Sequence, residues 1–468
     1  MKTLFFGGTL EGVANEIFKA FNVQFSISSL ENINKDCDLI DLIKHNFNFH
    51  PEYDQKAQEL LIDFYNNNFN TFCRMFVRRG PFLSDYHELT NHFTIYFYCL
   101  FEILKKKKIE LVIFNNFPHQ GVDYILYKIA KLLKIKTILL TQTIFPNKFI
   151  IISDMKDFGV FKNISNETNK NQIEKIMLEK DTYQNHQKNI MRDIEERGLS
   201  ATTHDSMSKY SPFYDEKKKL RENFLSLRLI KKNLLKLFIY LKLIKRKDLE
   251  KIYVENLNKI ELKDFQVERV LNNKSKKIFF AFHSQPEMST SLFAGDYDDQ
   301  IRILEKLNRK IITDKFILLT REHPVQNHYQ RDYLFFRRLK SFKNLNFLNR
   351  KFPMKRILDS VDVIVTSSGT VGWEGLILGK KCLLFGQSWY SKLHGVLEVT
   401  NDTSDKEIIE FLNKDFDINK FNISLQNLYH SFYDGIVSKW YIPMDPNYNE
   451  QNNSKKVITE IKKYLEKN

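Results

Sequence analysis

Residues 366–376 read TSSGTVGWEGL, and this one stretch holds three of the chain's 15 glycines, Gly369, Gly372 and Gly375. The apolar run VDVIV precedes it, so a strand ending at Thr366 meets a helix starting near Thr370. At such a junction the first backbone N–H groups and the helix dipole attract a phosphate. Ser367, Ser368 and Thr370 add hydroxyls, and the glycines let an anion approach the backbone, Gly369 foremost at the turn. Glu374 lies one turn further, where a carboxylate suits ribose hydroxyls better than phosphate. The same residues also fit a plain Ser/Thr N-cap with glycines for close strand–helix packing.

Two more stretches carry similar equipment. In REHPVQNH (321–328), His323 at a strand end can hydrogen-bond a phosphate or act as an acid to a leaving nucleotide. Arg321 adds charge and Pro324 stops the strand; a capped strand with a surface histidine is the other reading. In FHSQPEMSTS, Gln285 and Glu287 sit among His283, Ser289 and Thr290. This loop either holds a sugar or base, or caps the next helix. The Asp-x-Asp of DYDD (296–299) is a cation-binding pattern, but it opens a helix, where capping and the dipole favour Asp anyway. No metal site is assigned. In the first half, Gly7, Gly8, Thr9 and Glu11, then Pro118, His119 and Gln120, lie at strand ends. Glu11 and His119 are candidates, from position alone, for a base that takes a proton from a hydroxyl.

The elements that must position these residues are legible as periodicities. KTLFF, GGTLEG and VANEIFKAF read as strand, turn and helix, and helices are expected over 54–79 and 86–108. IELVIFNN, VDYILYKIAKLLK and KTILLTQ form a βαβ signature. A second βα series runs from KIFFAFH (277–283) through KFILLTREHP, LNFLN, VDVIVTSSG and KCLLFG. The expected class is α/β with two Rossmann-like domains: 1–212, a basic helical connector over 213–274, 275–430, and a tail over 431–468 ending in an amphipathic helix. By analogy at fold level this is the GT-B architecture of nucleotide-sugar glycosyltransferases. In an open parallel sheet ligands bind beyond the carboxyl ends of the strands, which places SQPE, REHP and SSGT on one edge.

The formal charge is +15, and residues 217–251 hold 13 Lys or Arg against 3 Asp or Glu. A stripe of Leu227, Ile230, Leu234, Leu237, Leu241 and Ile244 runs through that segment. It fits either a helix on an anionic membrane leaflet or one packed on the protein with its lysines solvated. No nucleic-acid recognition module is found. The four cysteines are scattered, which fits a reducing cytoplasm and neither a zinc site nor a disulfide framework. FTIYFYCLFEIL (93–104) is short and interrupted by Glu102, so it reads as a buried helix rather than a membrane span.

FHSQPEMSTSLFAGDYDDQI, REHP and TSSGTVGWEGLILGKKCLLFGQSWY, in this order, resemble the capsule polysaccharide biosynthesis family, which includes bacterial Kdo transferases. FPHQGVDYILYKIAKLLKIKTILLTQTIFPNKFIIISD resembles the N-terminal half of related surface-carbohydrate proteins. The resemblance implies a GT-B-like glycosyltransferase. Its second domain would hold a nucleotide sugar, a CMP-linked keto sugar acid such as Kdo, and its first a glycan or glycolipid acceptor. Similarity to CMP-sialic acid transferases matches His323 and Pro324 to a His-Pro motif, and Ser367 and Ser368 to a serine motif around the CMP phosphate. Glu374 resembles a helix glutamate that many GT-B enzymes use on the ribose. The basic segment and the general base match no family motif. A UDP- or GDP-sugar transferase and a non-catalytic glycan- or lipid-binding assembly protein are the rival expectations.

Overall fold

The computed structural model describes residues 1–43, 55–76, 86–196 and 249–467, except 310, 311, 313, 329 and 343. The chain forms two compact units, Met1–Leu199 with Lys392–His394 and Asn419–Asn468, and Ser200–Ser391 with Gly395–Ile418.

The first unit is built on β1 (Lys2–Phe6), β2 (Asn22–Ser28), β3 (Cys37–Asp38), β4 (Leu111–Phe114), β5 (Lys136–Gln142) and β6 (Lys148–Ile152). β3, β2, β1, β4 and β5 pair in that order, all parallel, and β6 joins β5 antiparallel. The expected helices appear as Gln55–Phe76, Tyr86–Lys106 and Val122–Leu132.

The second unit is wholly parallel. Its strands are β7 (Lys277–Ala281), β8 (Ile317–Arg321), β9 (Leu345–Leu348), β10 (Val363–Thr366), β11 (Lys381–Leu384) and β12 (Val396–Glu398). They run β9-β8-β7-β10-β11-β12 across the sheet. In chain order this is 3-2-1-4-5-6, the doubly wound arrangement whose switch point lies between the first and fourth strands. KIFFA and VIVT are buried at every position, as strands covered on both faces must be. The α/β class with two Rossmann-like sheets is thus as expected.

Two boundaries differ from expectation. The last strand, β13 (Tyr433–Asp434), pairs antiparallel with β6, and the helix Glu450–Lys467 buries Val457, Ile458 and Ile461 against Ala14 and Ile17. The stretch read as a tail therefore completes the first unit, because its apolar stripe has the first core to cover. Within 249–274, read as connector, Tyr253 and Leu257 enter one core of the second unit and Val267 and Leu271 another. The basic segment lies outside the described residues up to 248. No described helix is long and apolar enough to cross a membrane.

Candidate functional site

β7 stops at Ala281, yet the backbone beyond it stays paired, with side chains in place of a neighbouring strand. The Gln300 amide accepts from His283 N–H at 2.6 Å and donates to the His283 carbonyl at 3.0 Å. The Gln326 amide does the same for Gln285, at 2.7 and 3.1 Å. Both amides are buried. They hold the SQPE loop extended over the carboxyl edge of the sheet, where the Gln285–Pro286 bond is cis. The loop ends in the short helix Met288–Ser291, with the Glu287 N–H donating to Thr290 Oγ1 at 3.2 Å.

The glycine turn meets this loop from β10. Thr366 Oγ1 accepts the Gly369 N–H at 2.9 Å and pairs with His283 Nε2 at 2.8 Å. Ser368 Oγ donates to the Ser289 carbonyl at 2.7 Å, and Tyr390 Oη donates to the Gly369 carbonyl at 2.5 Å. The glycines divide between the two readings of the sequence. A Cβ on Gly369 would stand 2.5 Å from His283 Nε2, at the edge of the site. A Cβ on Gly372 would run into the Tyr390 hydroxyl and Cys382, and one on Gly375 into Ile364. Gly372 and Gly375 serve close packing of the helix Thr370–Ile377 on its sheet.

Three buried polar atoms around the switch point make no hydrogen bond: His283 Nδ1, His323 Nδ1 and Ser367 Oγ. Native interiors rarely leave such atoms unsatisfied, so their grouping marks a place where a ligand's polar atoms belong. Burial pushes the His283 imidazole down to about 4. Burial first, then His283, Arg321 and Arg331, push His323 down to about 3. Both imidazoles are neutral at physiological pH. Burial lowers Arg321 to about 10 against the pull of Glu374, and raises the Glu374 carboxyl against the pull of Arg321. Arg321 also donates to the Phe352 carbonyl at 2.9 Å.

Beneath the histidines Glu322 and Arg331 form a fully buried ion pair at 2.7 Å. The guanidinium also reaches Gln285 Oε1 at 2.5 Å and the His283 carbonyl at 3.2 Å. It lies 4.4 Å from the Phe335 ring centroid.

The fold therefore brings Arg321, His323, Ser367, Ser368, Gly369, Thr370 and Glu374 to the carboxyl edges of β8 and β10. Gln285 differs from its expected role: its carbonyl oxygen takes Arg331, and its amide nitrogen donates to the Asp298 carbonyl at 2.6 Å. It shapes the loop rather than facing a ligand. Pro324 is exposed just past β8. The DYDD aspartates precede the helix Ile301–Leu307, and two of them are engaged elsewhere, Asp299 with Arg338 at 2.8 Å and Asp296 with Asn401 at 2.9 Å. In the first unit, Glu11 accepts from Asn32 at 3.1 Å. His119 Nδ1 lies 2.5 Å from the Phe117 carbonyl, and its N–H donates to Asp123 at 2.8 Å. Sequence reading passed over Gln300, Gln326, Glu322, Arg331, Thr366 and Tyr390. All but Arg331 lay inside a recognised motif, but nothing in the motif marked them as the side chains that build the site.

The profile of the family described as capsule polysaccharide biosynthesis protein matches residues 174–433. The chain belongs to this family. The matched span holds all six strands of the second sheet and the site at its edge. Comparison with curated protein sequences finds no match. Among solved structures, the KpsC β-Kdo 2,7 transferase of Thermosulfurimonas dismutans aligns with 84% of this chain and 96% of its own, at 10% identity and a TM-score of 0.32. The UDP-GlcNAc 2-epimerase of Methanocaldococcus jannaschii aligns with 92% and 99%, at 15% identity and 0.27. An α,α-trehalose-phosphate synthase of Burkholderia vietnamiensis aligns with 95% and 98%, at 10% identity and 0.30.

Proposed function

We propose that this member of the capsule family is a glycosyltransferase of surface polysaccharide synthesis that takes its sugar from a nucleotide donor bound to the second unit. The donor is a CMP-linked keto sugar acid of the Kdo or sialic type, and the acceptor is a glycan or glycolipid. The observation that carries this reading is the switch-point edge, where three unsatisfied buried polar atoms, two neutral imidazoles and a helix start converge. That is a grip on phosphate by imidazole, hydroxyl and backbone N–H groups, with the Arg321 guanidinium beside His323. Ser367 and Ser368 flank the phosphate, and Glu374 is one helical turn away for the ribose.

In transfer, negative charge grows on the phosphate as the glycosidic bond breaks. A preorganised imidazole N–H from His323 stabilises that charge without reorganisation of water. The phosphate in turn favours protonation of His323, so the bound site draws its imidazole back towards the usual range. This reading invokes no divalent cation; of the DYDD aspartates, Asp299 is paired with Arg338 and Asp296 with Asn401. Glu11 and His119 are the first unit's candidates for the base. The basic segment 217–251 would bring the enzyme to an anionic membrane surface on the cytoplasmic side.

Calorimetry with CMP, UDP and GDP tests the reading. CMP should bind, and equally in EDTA. Preference for UDP or GDP removes the CMP assignment, and no binding of any of the three removes the nucleotide-dependent activity. His323→Ala should keep the fold and lose turnover.

A further inference from the structure

The loops after β7 and β8 carry the histidines of the site, and neither has a strand beyond it to hold it. They are joined instead by two side chains, the Gln326 amide on the Gln285 backbone and the guanidinium of Arg331, and only Arg331 brings in a buried charge. Arg331 Nε meets Glu322 Oε2 at 2.7 Å, and Glu322 Oε1 accepts the His323 N–H at 2.8 Å. From the other edge of the guanidinium, Nη1 reaches the Gln285 side chain and Nη2 the carbonyl of His283. Its carbon lies 5.2 Å from the Phe282 ring centroid and 4.4 Å from that of Phe335, two rings packed edge-to-face on each other. Every polar direction of the fork ends on one of the two loops, and both charges are out of water.

We propose that Arg331 is a positioning residue for the transfer step: its buried fork locks the loop of His283 to the loop of His323 and so determines where the His323 imidazole meets the donor phosphate. The proposal rests on the nucleotide-site reading. A buried ion pair is a poor device for stability, since two well-packed apolar residues would do as well. It is a good device for geometry, because a planar guanidinium accepts only one arrangement of its partners. The three N–H donors of a lysine radiate from one nitrogen, so they cannot span the separate positions that Nε, Nη1 and Nη2 of the fork reach. The groups facing His323 are His283, Arg321 and Arg331, with Glu322 on its own backbone.

Two variants separate positioning from stability. Arg331→Lys keeps a cation beside Glu322 and removes the fork. Arg331→Met combined with Glu322→Leu removes both buried charges, and should regain thermal stability lost in Arg331→Met alone. Each is read by CMP calorimetry and by NMR titration of histidine-labelled protein, with the His323 signal assigned by its absence in His323→Ala. We expect Arg331→Lys to bind CMP about tenfold more weakly, the equivalent of one charge-assisted hydrogen bond. Its His323 should titrate closer to the ordinary histidine value. The double variant should regain melting temperature without regaining affinity. Wild-type affinity and titration in either folded variant overturn the proposal. If the unmodified protein binds none of CMP, UDP and GDP, the functional reading fails by itself. The brace is then judged on the His323 titration of Arg331→Lys, and an unchanged curve overturns it.

Discussion

Two histidines in this site are held far below their usual titration range by burial, His283 at about 4 and His323 at about 3. The unfolded chain titrates them near 6.5, so between that pH and the folded values it binds more protons than the native state. Stability therefore falls as pH drops through that window. Urea unfolding at pH 7 and pH 5 should show a lower midpoint at pH 5, and His283→Gln should shrink the difference; an unchanged midpoint would contradict the buried neutral state. Gly369→Ala is the complementary test. Its methyl would stand 2.5 Å from His283 Nε2, and the imidazole is anchored to Thr366, so it must shift. CMP affinity should drop by about tenfold or more, and the same overpacking should lower the melting temperature by a few degrees. At this scale the sequence exposed residue types but not their partners. His323 and the serines stood out because a polar cluster follows an apolar strand. Gln285 stood out for the same reason, yet its side chain is engaged by Asp298 and Arg331.

The helix Thr370–Ile377 lies so close to its sheet that two of its positions admit no Cβ. Gly375→Ala would drive a methyl into Ile364 of β10, and Gly372→Ala into Tyr390 and Cys382. Overpacking of this kind costs about 1–3 kcal/mol. Each variant should lower the melting temperature by several degrees, with Gly375→Ala leaving CMP affinity in the surviving folded fraction nearly intact. Elements were the most legible level in the sequence. Strands covered on both faces read as continuous apolar runs, which is why KIFFA and VIVT stood out. Element starts were less legible. DYDD looks like the opening of a helix, but a 3-10 turn, Gly295–Tyr297, covers its start and the helix opens only at Ile301.

At the scale of the molecule, the final helix is part of the first core. Glu450 accepts the Gly12 N–H at 2.9 Å, and Val457, Ile458 and Ile461 are buried beside Ala14 and Ile17. Truncation after His430 should unfold the first unit while the second keeps its own cooperative transition, measurable as loss of one transition in calorimetric unfolding. A truncated chain that keeps both would contradict the assignment. The basic segment offers a separate test. Replacing Lys231, Lys232, Lys245 and Arg246 with Gln should reduce sedimentation with phosphatidylserine vesicles, and unchanged sedimentation would remove the membrane proposal.

By itself the sequence determined the α/β class, the two βα series, and the gathering of REHP and SSGT on one edge. These follow from local periodicity and from the rule that strand ends carry the ligand. Only the tertiary structure decided how the edge is built. The side chains that stand in for missing strands, Gln300, Gln326 and Arg331, come from loops 17 to 48 residues away from the positions they hold. No periodicity encodes such pairings, because a buried amide or guanidinium finds its acceptors in space. The three glycines of TSSGTVGWEGL divide on the same ground. In the sequence they look alike, and what lies opposite each one separates the residue that borders the site from the two that pack a helix on its sheet.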